Sequence, residues 1–168
     1  MTNAELLHLL ESMDWARERV LAALAPLGAE ELRRPLGGSF GTIEATLRHI
    51  YGAERIWTER LAAGEGGGAP WPTAAECPNV AAIGAAWRET AAAQRAWLAA
   101  QPADAPERVV RYRNSKGEDH ATPVANIVLQ LSHHQAYHRG QITHMLRQLG
   151  HAAPATDYIA FYRQQRSA

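Results

Sequence analysis

Apolar residues recur at spacings of three and four in four long segments of the chain, a periodicity that is typical of amphipathic α-helices. The pattern predicts helices over about 3–25, 42–63, 79–100 and 123–149, each with an apolar stripe that faces a common core. Proline or glycine follows each of these segments closely, as expected where helices end. The sequence therefore predicts an all-α four-helix bundle in which 1–168 form one domain.

Capping residues mark the starts of these helices. Thr2 or Asn3 can cap the first helix, and Ser39 and Thr42 offer hydroxyls to the second. Pro123 suits the first turn of the fourth helix, because that position needs no N–H. These signals indicate the same helix starts as the apolar periodicity does.

Other segments depart from the helical pattern. The alternating run VVRYR within 108–123, with a turn signal at 114–117, predicts a small β-hairpin before the fourth long helix. Four glycines and three prolines in 64–78 predict a packed surface loop, in which Trp71 can form a wall over a site. Asp157 can cap a short closing helix in the tail.

Composition narrows the possible functions. Seventeen basic and seventeen acidic residues give a formal net charge of zero, so nothing favours nucleic acid or an anionic membrane as a partner. Cys77 is the one cysteine, which excludes an internal disulfide and a cysteine-rich zinc site and fits a reducing compartment. No apolar run reaches the roughly 18 to 20 residues of a membrane helix, and the N-terminal segment lacks signal-peptide features. We expect a cytoplasmic protein whose function lies in a local site.

Histidines are concentrated in the fourth helix, where LSHHQAYHRGQITH holds four of the eight in the chain. At about 100° per residue, His134 and His138 lie in the apolar stripe, whereas His133 and His144 lie on the opposite side. Two imidazoles one turn apart on a buried face suit a metal ion, although a hydrogen-bonded pair of core histidines is the alternative. His49 lies at the edge of the second helix's stripe, where it is either a third ligand or a satisfied surface histidine.

Three histidine ligands would leave coordination positions open for water or substrate, as in a reactive site. Gln135 stands where a peptidase of the HExxH type has its general-base glutamate, so a peptidase is not expected. Zinc and nickel are the first candidates for the ion, and manganese and iron are also compatible with imidazole. The catalytic residue is unknown from the sequence. The candidates for further contacts around the ligands are Glu44, Glu54, Tyr137 and Asp157.

Three segments resemble the DinB/YfiT-like metalloenzymes, the damage-inducible DinB family. They are GTIEATLRHIYGAERIW around His49, HQAYHRGQI beginning at His134, and DYIAFY beginning at Asp157. The resemblance spans nearly the whole chain and implies a four-helix bundle, a fold shared with bacterial thiol-dependent transferases and mycothiol-dependent maleylpyruvate isomerase. It also implies that His49, His134 and His138 bind a divalent metal ion, in agreement with the helical phase.

The resemblance also places Arg139, Gly140 and Gln141 in the motif, where we expect Gly140 to permit close helix approach and Gln141 to lie near the ligands. It implies a metal-dependent, thiol S-transferase-like activity in which a low-molecular-weight thiol is transferred to a small electrophile. A metal-dependent hydrolase and a non-catalytic, metal-binding stress-response protein are the alternatives. Relatives often pair through bundle faces, so we expect a homodimer, with Trp87 and Trp97 on its apolar surface.

Overall fold

The computed structural model of the protein describes residues 1–63 and 68–166. Residues 64–67, which begin the predicted surface loop, lie outside the described residues. The elements in chain order are α1 (Asn3–Leu24), α2 (Ala29–Arg33), α3 (Ile43–Ala63), α4 (Val80–Ala99), a 3-10 turn (Ala105–Glu107), β1 (Val109–Arg113), β2 (Asp119–Pro123), α5 (Val124–Gln148) and α6 (Tyr158–Gln165).

The four long helices form the predicted bundle. Helix α1 packs against α4 and α5, and α3 packs against the same two helices, so the four close into a ring around the core. The apolar stripes bury two clusters of side chains inside this ring. Full burial of one such leucine or isoleucine stabilises the fold by about 1.5–3 kcal/mol. None of the helices in the described part of the chain combines the length and apolar content that crossing a bilayer requires.

Two of the bundle helices are capped at their N-termini by side-chain hydroxyls. The Thr2 hydroxyl accepts a hydrogen bond from the backbone N–H of Glu5 at 3.2 Å, and the Glu5 carboxylate accepts from the N–H of Thr2 at 2.7 Å. This reciprocal capping box satisfies N–H groups that the first turn of α1 leaves free. At the start of α3, the Thr42 hydroxyl accepts from the N–H of Ala45 at 3.1 Å, so Thr42 provides the cap rather than Ser39.

Helix α5 is fixed at both ends. The predicted hairpin is antiparallel and leads directly into the helix, because the N–H of Val124 donates to the carbonyl of Arg108 at 3.0 Å. At the other end, Gly150 has φ +82° and the N–H of His151 donates to the carbonyl of Leu146 at 2.9 Å, which closes a Schellman motif. These contacts fix the rotational phase of α5 and therefore the directions in which its histidines point.

Two features differ from the sequence predictions. Helix α2 was not predicted, because five residues are too few to show a helical period. Trp87 was predicted on an outer apolar surface, yet it is 1% exposed in the core, where its indole N–H donates to a buried carboxylate. Trp97 is half-buried, and the guanidinium of Arg108 lies 5.0 Å from its ring centroid. The apolar surface predicted at these tryptophans therefore does not include Trp87.

Candidate metal centre

Three histidines converge where α3 faces α5. His49 lies in the first half of α3, and His134 and His138 lie one turn apart on α5. Each offers one ring nitrogen, and the three nitrogens lie within 4.8 Å of one another. The structure thus brings together the three residues that the sequence indicated. His133 and His144 are exposed and do not join this cluster, as the helical phase predicts.

The separation of the nitrogens suits one divalent cation. Two imidazole nitrogens bound to a tetrahedral zinc, each at about 2.0–2.1 Å, lie roughly 3.3 Å apart. The Nε2 atoms of His49 and His134 are 2.9 Å apart, slightly closer than this, and small rotations of the rings would adjust the distance. Without a cation, one of these two nitrogens must donate a proton to the other, whereas a cation between them would satisfy both lone pairs. The cluster could therefore hold a metal ion.

The cluster has the protonation state that a metal ion needs. Burial lowers the pKa of His49 to about 4, and the neighbouring His134 and His138 lower it further in the same direction. Burial likewise lowers the pKa of His134 to about 4, with a smaller contribution from His138. Both imidazoles are consequently neutral near pH 7. The neutral form carries the lone pair that binds a metal.

A side-chain amide orients the third histidine. The Nδ1 atom of His138 lies 3.2 Å from Oε1 of Gln141, and Nε2 of Gln141 donates to the hydroxyl of Ser39 at 2.8 Å. Because the amide oxygen can only accept, Nδ1 of His138 carries the proton and Nε2 remains free as the ligand atom. The prediction that Gln141 lies near the ligands is confirmed, and Ser39 holds Gln141 in place instead of capping α3.

Two aromatic rings stack on His49. The ring centroid of Phe40 lies 3.9 Å from that of His49, and that of Trp71 lies 5.0 Å away with an interplanar angle of 12°. Both aromatic side chains are partly open to solvent, so they shield the imidazole while leaving access to the cluster. Trp71 forms the wall that the loop composition indicated. Phe40 was not among the predicted site residues, because it lies in a loop without periodicity.

A cavity of about 290 Å³ opens beside His49 and His134. Trp57 and Trp71 form aromatic walls, and the guanidinium of Arg60 lies 4.7 Å from the ring centroid of Trp57. The volume is close to the lower end of the range for small-molecule sites, and its mixture of apolar walls with a few polar groups is typical of them. A small molecule in this cavity would lie against the histidine cluster.

The two glutamates that the sequence singled out do not join the histidines. Glu54 is 2% exposed and accepts hydrogen bonds from the indole N–H of Trp87 and the side-chain amide of Gln135, both at 2.5 Å. Burial raises the pKa of Glu54, and these two hydrogen bonds oppose that effect. Glu44 forms ion pairs with two arginines. Both carboxylates therefore have structural partners.

The remaining candidates take different positions. Tyr137 is exposed, and its ring meets that of His138 edge-on at a centroid distance of 4.9 Å. Asp157 occupies the position before α6, but its side chain makes no capping hydrogen bond. The prediction that Gly140 permits close helix approach is wrong, because a Cβ atom there would meet nothing within 4 Å.

The fold and this cluster define a class of helical bundle in which two neighbouring helices share three histidines. The sequence model of the DinB family matches residues 1–167, and the chain belongs to the DinB family. It is 24% identical over 158 residues to Protein DinB of Bacillus subtilis (strain 168), with 86% of each chain covered. It is also similar to the crystal structure of a DinB-like protein from Bacillus cereus ATCC 10987. That likeness has a TM-score of 0.63 and 22% identity, covers 88% of this chain and 94% of that chain, and shows the fold.

Proposed function

We propose that this protein is a metal-dependent enzyme that transfers a small thiol to an electrophile. His49, His134 and His138 would hold one divalent cation, with zinc and nickel as the first candidates. The observation that supports this proposal is the convergence of three imidazole nitrogens beside a cavity with aromatic walls. The cation would supply Lewis acidity, which favours the thiolate form of a bound thiol near neutral pH.

The neutral ligand set favours an anionic substrate group. Three imidazoles leave both positive charges of the cation uncompensated, so a thiolate is a better partner than a neutral molecule. Hydrolysis by metal-bound hydroxide is the alternative, because a divalent cation on three imidazoles can lower the pKa of bound water to about 7. A thiol, with an ordinary pKa of about 8.5, loses its proton far more readily than free water, and the same cation would hold it as the thiolate near neutral pH. Glu44 and Glu54 are engaged in ion pairs and hydrogen bonds, so neither adds a base for water.

The chain's own residues would bind and orient the reactants. Trp57 and Trp71 offer flat apolar faces to the carbon skeleton of the electrophile, and Arg60 can orient an anionic group on either reactant. Gln141 keeps His138 in the tautomer that presents Nε2. In the transfer, the thiolate sulfur forms a bond to the electrophilic carbon, and the leaving group departs with the electron pair of the broken bond. The thiol proton passes to solvent.

Metal analysis tests the first half of the proposal. The tag-free protein, purified without added metal, is compared by elemental analysis with His138→Ala and with His144→Ala. His144 is an exposed histidine on the same helix and serves as the matched control. We expect near-stoichiometric metal in the wild type and the control and little in His138→Ala. If all three proteins contained equal trace metal, also after reconstitution with zinc, nickel and manganese, the histidines would serve only to pack the core.

Turnover tests the second half. The metal-loaded protein is supplied with small thiols and 1-chloro-2,4-dinitrobenzene, and thioether formation is followed by absorbance. We expect a rate above background that requires the thiol and is lost in His138→Ala but not in His144→Ala. Cleavage of 4-nitrophenyl acetate without any thiol would instead support a hydrolase. Bound metal with neither reaction would support a metal-binding protein without catalysis.

A further inference from the structure

A groove of about 960 Å³ runs between α1, α5 and the 153–158 segment, on the side of α5 away from the histidine cluster. Half of the eight α5 residues that line this groove are small, namely Ser132, Ala136, Gly140 and Thr143. A Cβ atom at Gly140 would meet nothing within 4 Å, so the space above the helix is open there. The volume lies within the upper range of small-molecule sites.

A cationic side chain in this groove is buried with two of its nitrogen donors unpaired within the described chain. Arg139 is 7% exposed, and its Nε and Nη1 atoms are buried with no hydrogen-bond partner among the described residues. A buried donor left unpaired costs about 1–3 kcal/mol, and more when it is charged. An arginine guanidinium keeps its positive charge at neutral pH. In the part of the chain that the structure describes, two of the three guanidinium nitrogens therefore lack the hydrogen-bond acceptor that a buried charge requires.

We propose that Arg139 anchors a second ligand site, which binds a small organic acid through an oxyanion group. The planar guanidinium presents several N–H donors in one plane, an arrangement that matches the oxygens of a carboxylate or a phosphate. Arg147 adds a second cation to the groove. Glu5 and Asp157 add carboxylates to the same lining, Asp157 within electrostatic reach of Arg139, and both would select against a ligand with several negative charges. The lining also includes apolar side chains that suit a hydrocarbon body: Leu9, Met13, Leu129, Ala153 and Pro154.

This site is separate from the histidine cluster. Arg139 follows His138 in the chain, but one residue of a helix corresponds to a rotation of about 100°, so the two side chains leave α5 in different directions. The residues that line the groove include none of the three clustered histidines. Binding at Arg139 therefore does not require a metal ion, and it can be tested whether or not the proposed transferase activity is found.

Calorimetric titration of the full-length protein tests the proposal. The probes are phenyl phosphate and phenylacetate, inorganic phosphate as the oxyanion alone, and benzyl alcohol as the uncharged body. We expect one molecule of an aryl anion to bind per chain and benzyl alcohol not to bind; the tighter of the two anions identifies phosphate or carboxylate as the preferred group. Arg139→Gln should weaken binding about tenfold or more, because it removes a charge-assisted contact. Arg34→Gln, which removes an exposed charge just after α2, and His138→Ala should leave binding unchanged.

A second variant tests the groove while retaining the cation. Ala136 is exposed in the groove, so Ala136→Phe should fill the space without unfolding α5 and should weaken phenyl phosphate more than inorganic phosphate. Absence of saturable binding, or equal binding by wild type and Arg139→Gln, would overturn the proposal. Loss of binding in His138→Ala together with no change in Arg139→Gln would place the anion at the histidine cluster and would likewise overturn it.

Discussion

Replacement of Glu54 by alanine should destabilise the bundle by about 2–6 kcal/mol. The carboxylate is buried between α3, α4 and α5, and it accepts hydrogen bonds from Trp87 on α4 and Gln135 on α5. In the variant, both donors stay buried without an acceptor, and each such group costs about 1–3 kcal/mol. The cavity left by the shortened side chain adds to this cost.

Urea denaturation of the metal-free protein at pH 7 measures this effect as a change in the free energy of unfolding. Glu59→Ala is the matched control, because Glu59 lies on the same helix but is exposed and forms a surface ion pair with Arg55. We expect less than about 1 kcal/mol for the control. Glu54→Gln keeps an acceptor oxygen and should fall between the two. If Glu54→Ala were as stable as the control, the two donors would have found other partners and the reasoning would be refuted.

Three further predictions concern the histidine cluster, the Trp71 wall and the first helix. Folding lowers the pKa of His49 and His134, so the stability that these neutral histidines contribute is present above about pH 6.5 and is lost as the pH falls towards 4. Urea denaturation of the metal-free protein should show a falling free energy of unfolding between pH 7 and 4.5, and a constant value would contradict this prediction. Gly52→Ala would place a Cβ atom in steric conflict with the indole edge of Trp71 and with Pro72, so it should displace that ring from His49 and alter tryptophan fluorescence. An unchanged spectrum would show that no displacement occurs. Thr2→Ala removes the capping box and should cost about 1 kcal/mol in thermal unfolding, whereas an unchanged melting temperature would show that the cap does not stabilise α1.

Much of the helical framework could be predicted because its signals are local. Thr2 and Asn79 cap α1 and α4, and Gly150 ends α5, so each boundary is determined within a few residues of itself. The proximity of His134 to His138 follows from the helical period alone. The position of His49 beside them depends on how α3 packs on α5, and this was indicated by the family resemblance rather than by any local pattern.

Contacts between distant parts of the chain could not be predicted in the same way. Phe40 contacts His49 from a loop, and Glu54 contacts Trp87 and Gln135 across the core. None of these contacts produces a periodic pattern in the sequence. Glutamate on a helix is usually solvated, and only the packing of three helices shows that Glu54 is buried. The same reason explains why Trp87 was assigned to the surface.

The two ends of the hairpin adjoin different parts of the molecule: its base adjoins α5, and its tip adjoins the cavity beside the histidines. Its base, where Val109 pairs with Pro123, adjoins α5 and holds the helix in register. Its tip lies against the cavity beside the histidines, through Asn114 and Ser115. Insertions or deletions at the tip would reshape the cavity without rotating α5, so the shape of the cavity can change, in evolution or by redesign, while the spacing of the three histidines is preserved.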